Sequence, residues 1–226
     1  MTGDDPDFRE YASPACLAHE LDAAYRDAEL VDADTRRDVM RWRKAERQRL
    51  YRERASISDG ERERAQRQIT AALDGLLAEH ECTRVAAYWP IRGEPDLRPW
   101  MAGLAGSGLD VALPVVAAMD QPLGFGRWRP GDRLARGRWG IAEPAEPEWV
   151  EPQLLIVPLL GVDGHRFRLG NGGGCFDRTL AALRPRPLAV GVGFGCARIE
   201  TIYPLPHDIA MDVVVVASTG DDDPGT

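Results

Sequence analysis

Arg166-Phe167-Arg168-Leu169-Gly170-Asn171-Gly172-Gly173-Gly174-Cys175-Phe176-Asp177-Arg178-Thr179-Leu180 sets four glycines, three arginines and a carboxylate between two apolar stretches. The run before it, Leu154 to Leu160, is continuously apolar and reads as a fully buried strand, whereas Phe176, Leu180 and Leu183 after it fall at helical spacing. Glycines at such a junction let backbone N–H groups approach an anion, and the N-terminus of the following helix adds a favourable dipole. Asp177, seven residues past the first glycine, is placed to hold a cation against bound phosphates. A turn that merely caps a helix needs no flanking Arg166, Arg168 and Arg178. Neither familiar nucleotide motif fits: a dinucleotide fingerprint needs glycine at Cys175, and a P-loop needs Gly-Lys-Ser/Thr.

Outward from this loop, strands alternate with helices. A helix is predicted over Asp38 to Arg54, and the capping-box pattern Ser58-Asp59-Gly60-Glu61 starts a second, with Ala65, Ile69, Ala72, Leu73, Leu76 and Leu77 on one face. Strands follow at Arg84 to Trp89, Leu109 to Val116, Leu123 to Trp128, Leu154 to Leu160, Leu188 to Phe194 and Asp212 to Ala217, with short helices at Asp96 to Ala105 and after the glycines. A Pro- and Gly-rich connection runs to Pro152. The pattern implies an α/β fold, a single three-layer domain with a largely parallel central sheet and helices on both faces, preceded by an N-terminal helical segment.

The net charge of −8 is unevenly placed. Residues 1–35 hold ten acids against Arg9 and Arg26, so the rest of the chain carries 26 acids and 26 bases. We read 1–35 as an acidic N-terminal extension, mobile or an accessory helix, 36–218 as the domain, and 219–226 as a disordered tail. Arg36 to Arg67 carries twelve bases against six acids, which in an acidic protein suits a solvated face or a small-anion site better than nucleic acid. No run reaches the length of a membrane span, and the four cysteines are not paired in sequence. These features predict a cytoplasmic monomer with reduced thiols and no nucleic-acid or membrane partner.

The glycine segment resembles the RLGyGgGyYDR segment of the 5-formyltetrahydrofolate cyclo-ligases, also called methenyltetrahydrofolate synthetases. Four more segments agree in order: Ala87 to Asp96, Trp139 to Pro144, Val157 to Asp163, and His207-Asp208 followed by Asp212. The resemblance implies ATP-dependent closure of 5-formyltetrahydrofolate to 5,10-methenyltetrahydrofolate. The formyl oxygen attacks the γ-phosphate, and N10 then closes the ring as phosphate leaves. It implies ATP contacts from Gly170, Asn171, Gly172, Gly173, Gly174, Cys175, Phe176 and Arg168, folate contacts from Trp89 and Glu94, and Mg²⁺ held by Asp177 and Asp208, with Arg168 and Asp177 catalytic. In the first helix the family has a lysine and a following arginine on the ATP phosphates. Spacing places them at Arg43 and Arg47, whereas residue type favours Lys44, the sole lysine beside 27 arginines. Both placements stay open.

Where the family has two tyrosines this chain has Cys175 and Phe176, and Asn171 replaces a larger residue. A thiol beside a helix N-terminus and arginines is expected to favour its thiolate. Two other readings carry weight: a non-catalytic relative that binds folate or nucleotide for regulation, and a sugar-phosphate isomerase or acyltransferase of similar architecture.

Overall fold

The structure, a computed structural model, describes residues 32–118 and 120–217. Helix α1 (Ala33–Ser56) starts on Asp32, whose carboxylate accepts from the Asp34 and Thr35 N–H groups. Ala33, Asp34 and Thr35, assigned from composition to the acidic extension, therefore form the first turn of this helix. Residues 1–31 and 218–226 lie outside the described residues, and with them most of the predicted extension and all of the predicted tail. Helix α2 (Asp59–His80) opens with the capping box read from sequence: Ser58 and Glu61 exchange side-chain to backbone bonds.

Strand β1 (Arg84–Ala86), helix α3 (Arg98–Gly106) and strand β2 (Asp110–Val115) form a parallel βαβ unit, continued at the sheet edge by antiparallel β3 (Gly124–Arg127). Beyond the hairpin β4 (Leu134–Arg136) and β5 (Ala142–Pro144) come β6 (Leu154–Pro158), a second hairpin of β7 (Gly161–Val162) and β8 (Arg168–Leu169), helix α4 (Cys175–Ala182), and strands β9 (Leu188–Phe194) and β10 (Val213–Ala217). The main sheet has six strands in the order β10-β9-β6-β1-β2-β3, parallel except at β3.

Side-chain alternation along the strands sends residues to opposite faces. Val85, Leu154 and Ile156 pack under Ile69 and Leu73 of α2 and Met101 of α3. Ala86, Leu155 and Val157 face the other way, against Leu180 of α4, Phe125 and Met211. Both faces are covered, which explains why β6 is apolar at every position. Helix α1 belongs to neither layer: Leu50 packs with Leu160, Leu169 and Ile202 across one end of the sheet.

Two expectations need correction. The glycine loop does not follow the buried strand directly, because the β7–β8 hairpin intervenes. Asp163 holds that hairpin, one carboxylate oxygen accepting from the His165 and Phe167 N–H groups and the other from Ile202. The connection predicted to run irregularly to Pro152 contains the β4–β5 hairpin, whose three-residue strands are too short to show a period.

Candidate active site

The parallel sheet changes winding between β1 and β6. The β1–α3–β2 crossover runs over one face and β6–α4–β9 over the other, so the loops at the C-terminal strand ends diverge and leave a crevice there. A cavity of about 390 Å³ occupies this position. Its floor is the glycine loop, and its walls are α1, Ile91 and Arg92 after β1, the β4–β5 hairpin, and His207 and Asp208.

The loop gets its shape from Gly172 and Gly174, whose φ values of 105° and 61° lie in the left-handed region that favours glycine. Gly170 has a different reason: a Cβ there would collide with the Arg168 guanidinium. Arg168 is buried, donates to Asp177 at 2.9 Å and lies over the Phe176 ring at 5.2 Å. Arg178 ties the loop from the helix side by donating to the Gly173 carbonyl at 2.7 Å, and Arg47 ties it from α1 by donating to the Gly170 carbonyl at 2.8 Å.

Along α1 the residues Arg36, Met40, Arg43 and Arg47 recur at intervals of four, three and four, which keeps them on one helix face, and all four line the cavity. Spacing therefore predicts the α1 face better than residue type: Arg43 points inward and Lys44, one step round the helix, is exposed. Arg43 is held by Asp208, which it meets through two nitrogens at 3.2 and 2.5 Å, and by the Ile202 and Tyr203 carbonyls.

Glu94 is buried and stands behind the cavity wall. Asn171 donates to one of its oxygens at 3.5 Å and the Ile91 N–H to the other at 3.0 Å. Burial raises its carboxyl above the ordinary carboxylate range, while the Ile91 bond and the Arg54 charge pull the other way. Trp89 is not brought to the cavity. Its ring packs edge-on to Trp128 at 6.1 Å and lies under Arg98 at 5.5 Å. The Cys175 thiol lines the cavity, but the expectation of a favoured thiolate is overturned. Burial pushes its pKa up, outweighing the charges of Arg178 and Arg168. His207 is held below its usual value by burial, with Asp208 pulling upward.

Sequence reasoning passed over Arg36, Arg92, Arg138 and Trp139 as site residues. Trp139 carried a signal in its Gly140 neighbour: the 3₁₀ turn joining β4 to β5 holds Trp139 at φ 56° and Gly140 at 71°. A bulky residue in the left-handed region marks a turn held by its surroundings. Arg36 gave a weaker one, continuing the Arg43, Arg47 face about two turns towards the start of the helix.

The model of the 5-formyltetrahydrofolate cyclo-ligase family matches residues 39–217. The chain belongs to this family. A 5-formyltetrahydrofolate cyclo-ligase of Mycolicibacterium smegmatis is 32% identical over 181 residues, covering 76% of this chain and 91% of that protein. One from Haemophilus influenzae is 27% identical, covering 72% and 91%. Among solved structures, the 5,10-methenyltetrahydrofolate synthetase of Aquifex aeolicus superposes with a TM-score of 0.67 at 30% identity, covering 77% of this chain and 89% of that one. That of Mycoplasma pneumoniae, at 20% identity and a TM-score of 0.63, shares the fold. As a cyclo-ligase family member this chain is an enzyme of the ligase class, and the α/β architecture expected from its strand and helix order is that of its relatives. Among the described residues no helix is long and apolar enough to cross a membrane.

Proposed function

We propose that this protein closes 5-formyltetrahydrofolate to 5,10-methenyltetrahydrofolate at the expense of ATP, releasing ADP and phosphate. The observation that carries the reading is the glycine loop with its Arg168–Asp177 pair, placed as the floor of a crevice whose lining includes seven arginines. ATP phosphates fit this floor. The loop N–H groups and the N-terminus of α4 supply donors, and Arg47, Arg168 and Arg178 supply charge. The folate fits between Trp139 and Ile141 of the β4–β5 hairpin and the Ile91–Arg92 segment, with Glu94 behind Asn171 as an acceptor for a pterin donor.

The charges of the pocket suit Mg²⁺ at Asp177. Asp177 lines the cavity, and each of its oxygens accepts one described bond, from Arg168 and from the Ile209 N–H, which leaves acceptor capacity on the carboxylate. Asp208 suits it less well. Its carboxylate accepts from two Arg43 nitrogens and from Leu205, and its place is to hold Arg43. One carboxylate with phosphate oxygens and waters is an ordinary Mg²⁺ environment. The ion, when bound, neutralises charge on the transferring phosphoryl group.

The protein's own contribution is alignment and charge. The loop and Arg168 hold the γ-phosphate so that the formyl oxygen attacks phosphorus as the bond to the ADP oxygen breaks. N10 then adds to the activated carbon, phosphate departs with the former formyl oxygen, and the N10 proton is lost to the departing phosphate. No protein nucleophile is needed, and positioning with electrostatic stabilisation supplies the rate. Incubating the protein with 5-formyltetrahydrofolate and Mg-ATP and following methenyltetrahydrofolate absorbance tests the reading. Product is expected with ATP and none without it. Product without ATP overturns ligase chemistry, and tight folate binding with no product points to a regulatory relative.

A further inference from the structure

Asn171 does something in this chain that no glycine of the same loop can do. Its carboxamide oxygen accepts from the Tyr51 hydroxyl of α1 at 2.5 Å, and its Nδ2 donates to the Glu94 carboxylate at 3.5 Å. A carboxamide has one acceptor face and one donor face, and here each has a different partner. The reverse orientation would set the amide oxygen against a carboxylate oxygen, so the network fixes the amide. Tyr51 is fixed in turn: Arg92 donates to its hydroxyl at 3.0 Å, and the Arg54 and Arg92 guanidinium groups each lie 5.4 Å from its ring centre. The backbone next to Asn171 is tied to α1 as well, through Arg47 on the Gly170 carbonyl.

The Nδ2 to Glu94 bond is at the long limit of hydrogen-bond geometry, and it is the side-chain link between the phosphate floor and the buried carboxylate. A small movement of the loop around an anion lengthens or shortens it, and Glu94 answers by changing its hold on whatever donor faces it.

We propose that Asn171 is a positioning residue that couples nucleotide in the glycine loop to the Glu94 carboxylate on the folate side, so that the two substrates bind cooperatively. This rests on the proposed cyclo-ligase reading. Linkage requires the same coupling factor whichever ligand is added first.

The test is the dissociation constant of 5-formyltetrahydrofolate, by calorimetry, with and without a non-hydrolysable ATP analogue and Mg²⁺. In the wild type the analogue is expected to tighten folate binding by about fivefold or more. In Asn171→Ala that ratio is expected to fall to within about twofold of unity, whatever the affinity of the variant for the analogue alone. Tyr51→Phe removes one hydroxyl and leaves the packing, so it decides the matter if Asn171→Ala does not fold. It is expected to lower the ratio in the same direction. A wild-type ratio of one, or a ratio preserved in the variants, overturns the inference. A wild type that neither binds 5-formyltetrahydrofolate nor makes product overturns the functional reading itself, whereas turnover with undiminished coupling in both variants overturns the inference alone.

Discussion

Asp177 closes a buried ion pair with Arg168, caps the Ile209 N–H and faces the cavity, so a change there acts on both chemistry and stability. Asp177→Asn is expected to lower kcat more than about tenfold, because charge at the phosphoryl group is lost. A fall in melting temperature of several degrees should accompany it as Arg168 loses its partner. Wild-type turnover in the variant would remove Asp177 from the site. At α1, Lys44→Ala is expected to leave the KM for ATP within about twofold of wild type, since Lys44 is exposed. Arg43→Ala should destabilise the fold by about 3 kcal/mol, because Asp208, with its side chain only 8% exposed, would be left buried and unpaired. Urea midpoints and ATP titrations of the two variants check both statements, and a strong ATP effect from Lys44→Ala would restore the lysine to the phosphates.

At the scale of elements, α1 shows how a boundary drawn from composition can cut through structure. The acid-rich stretch ends in residues that cap and begin the helix, and Arg36 on its first turn already lines the cavity. Removing residues 1–31 is expected to leave kcat within about twofold of the full chain. Removing 1–35 also takes away the Asp32 cap, which should cost about 1 kcal/mol and loosen the Arg36 wall. Equal thermal stability of the two truncations would show that the cap contributes nothing. The β4–β5 hairpin shows the opposite failure. Its strands carry no readable period, and contacts with other parts of the chain hold it: Pro144 meets Gly126 of β3, and Glu143 accepts from the Val116 N–H at 3.5 Å.

For the molecule as a whole, Glu94 sets a trade between stability and function. Its folded-state carboxyl is raised by burial, so the native protein keeps that proton to higher pH than the unfolded chain does. The contribution of Glu94 to stability is therefore present below the ordinary glutamate range and lost as pH rises through the raised value. Glu94→Gln should gain stability relative to wild type as pH is raised from about 4 towards neutrality, while losing folate affinity. A pH-independent difference in melting temperature would contradict this. Much of the architecture was legible from the chain alone. Buried strands, the capping box and the glycine loop are local patterns of apolar residues, caps and conformational freedom, and these act through neighbours in sequence. The family was legible for the same reason, because its motifs are short and contiguous. Tertiary structure decided what depends on desolvation and on partners far along the chain: that Arg43 rather than Lys44 turns inward, that Arg43 is held by Asp208 from 165 residues away, that Trp89 packs on Trp128, and that burial pushes the Cys175 thiol pKa up despite its arginines. Charge and helix position can be read from a sequence, but removal from water cannot, because burial belongs to the packed whole.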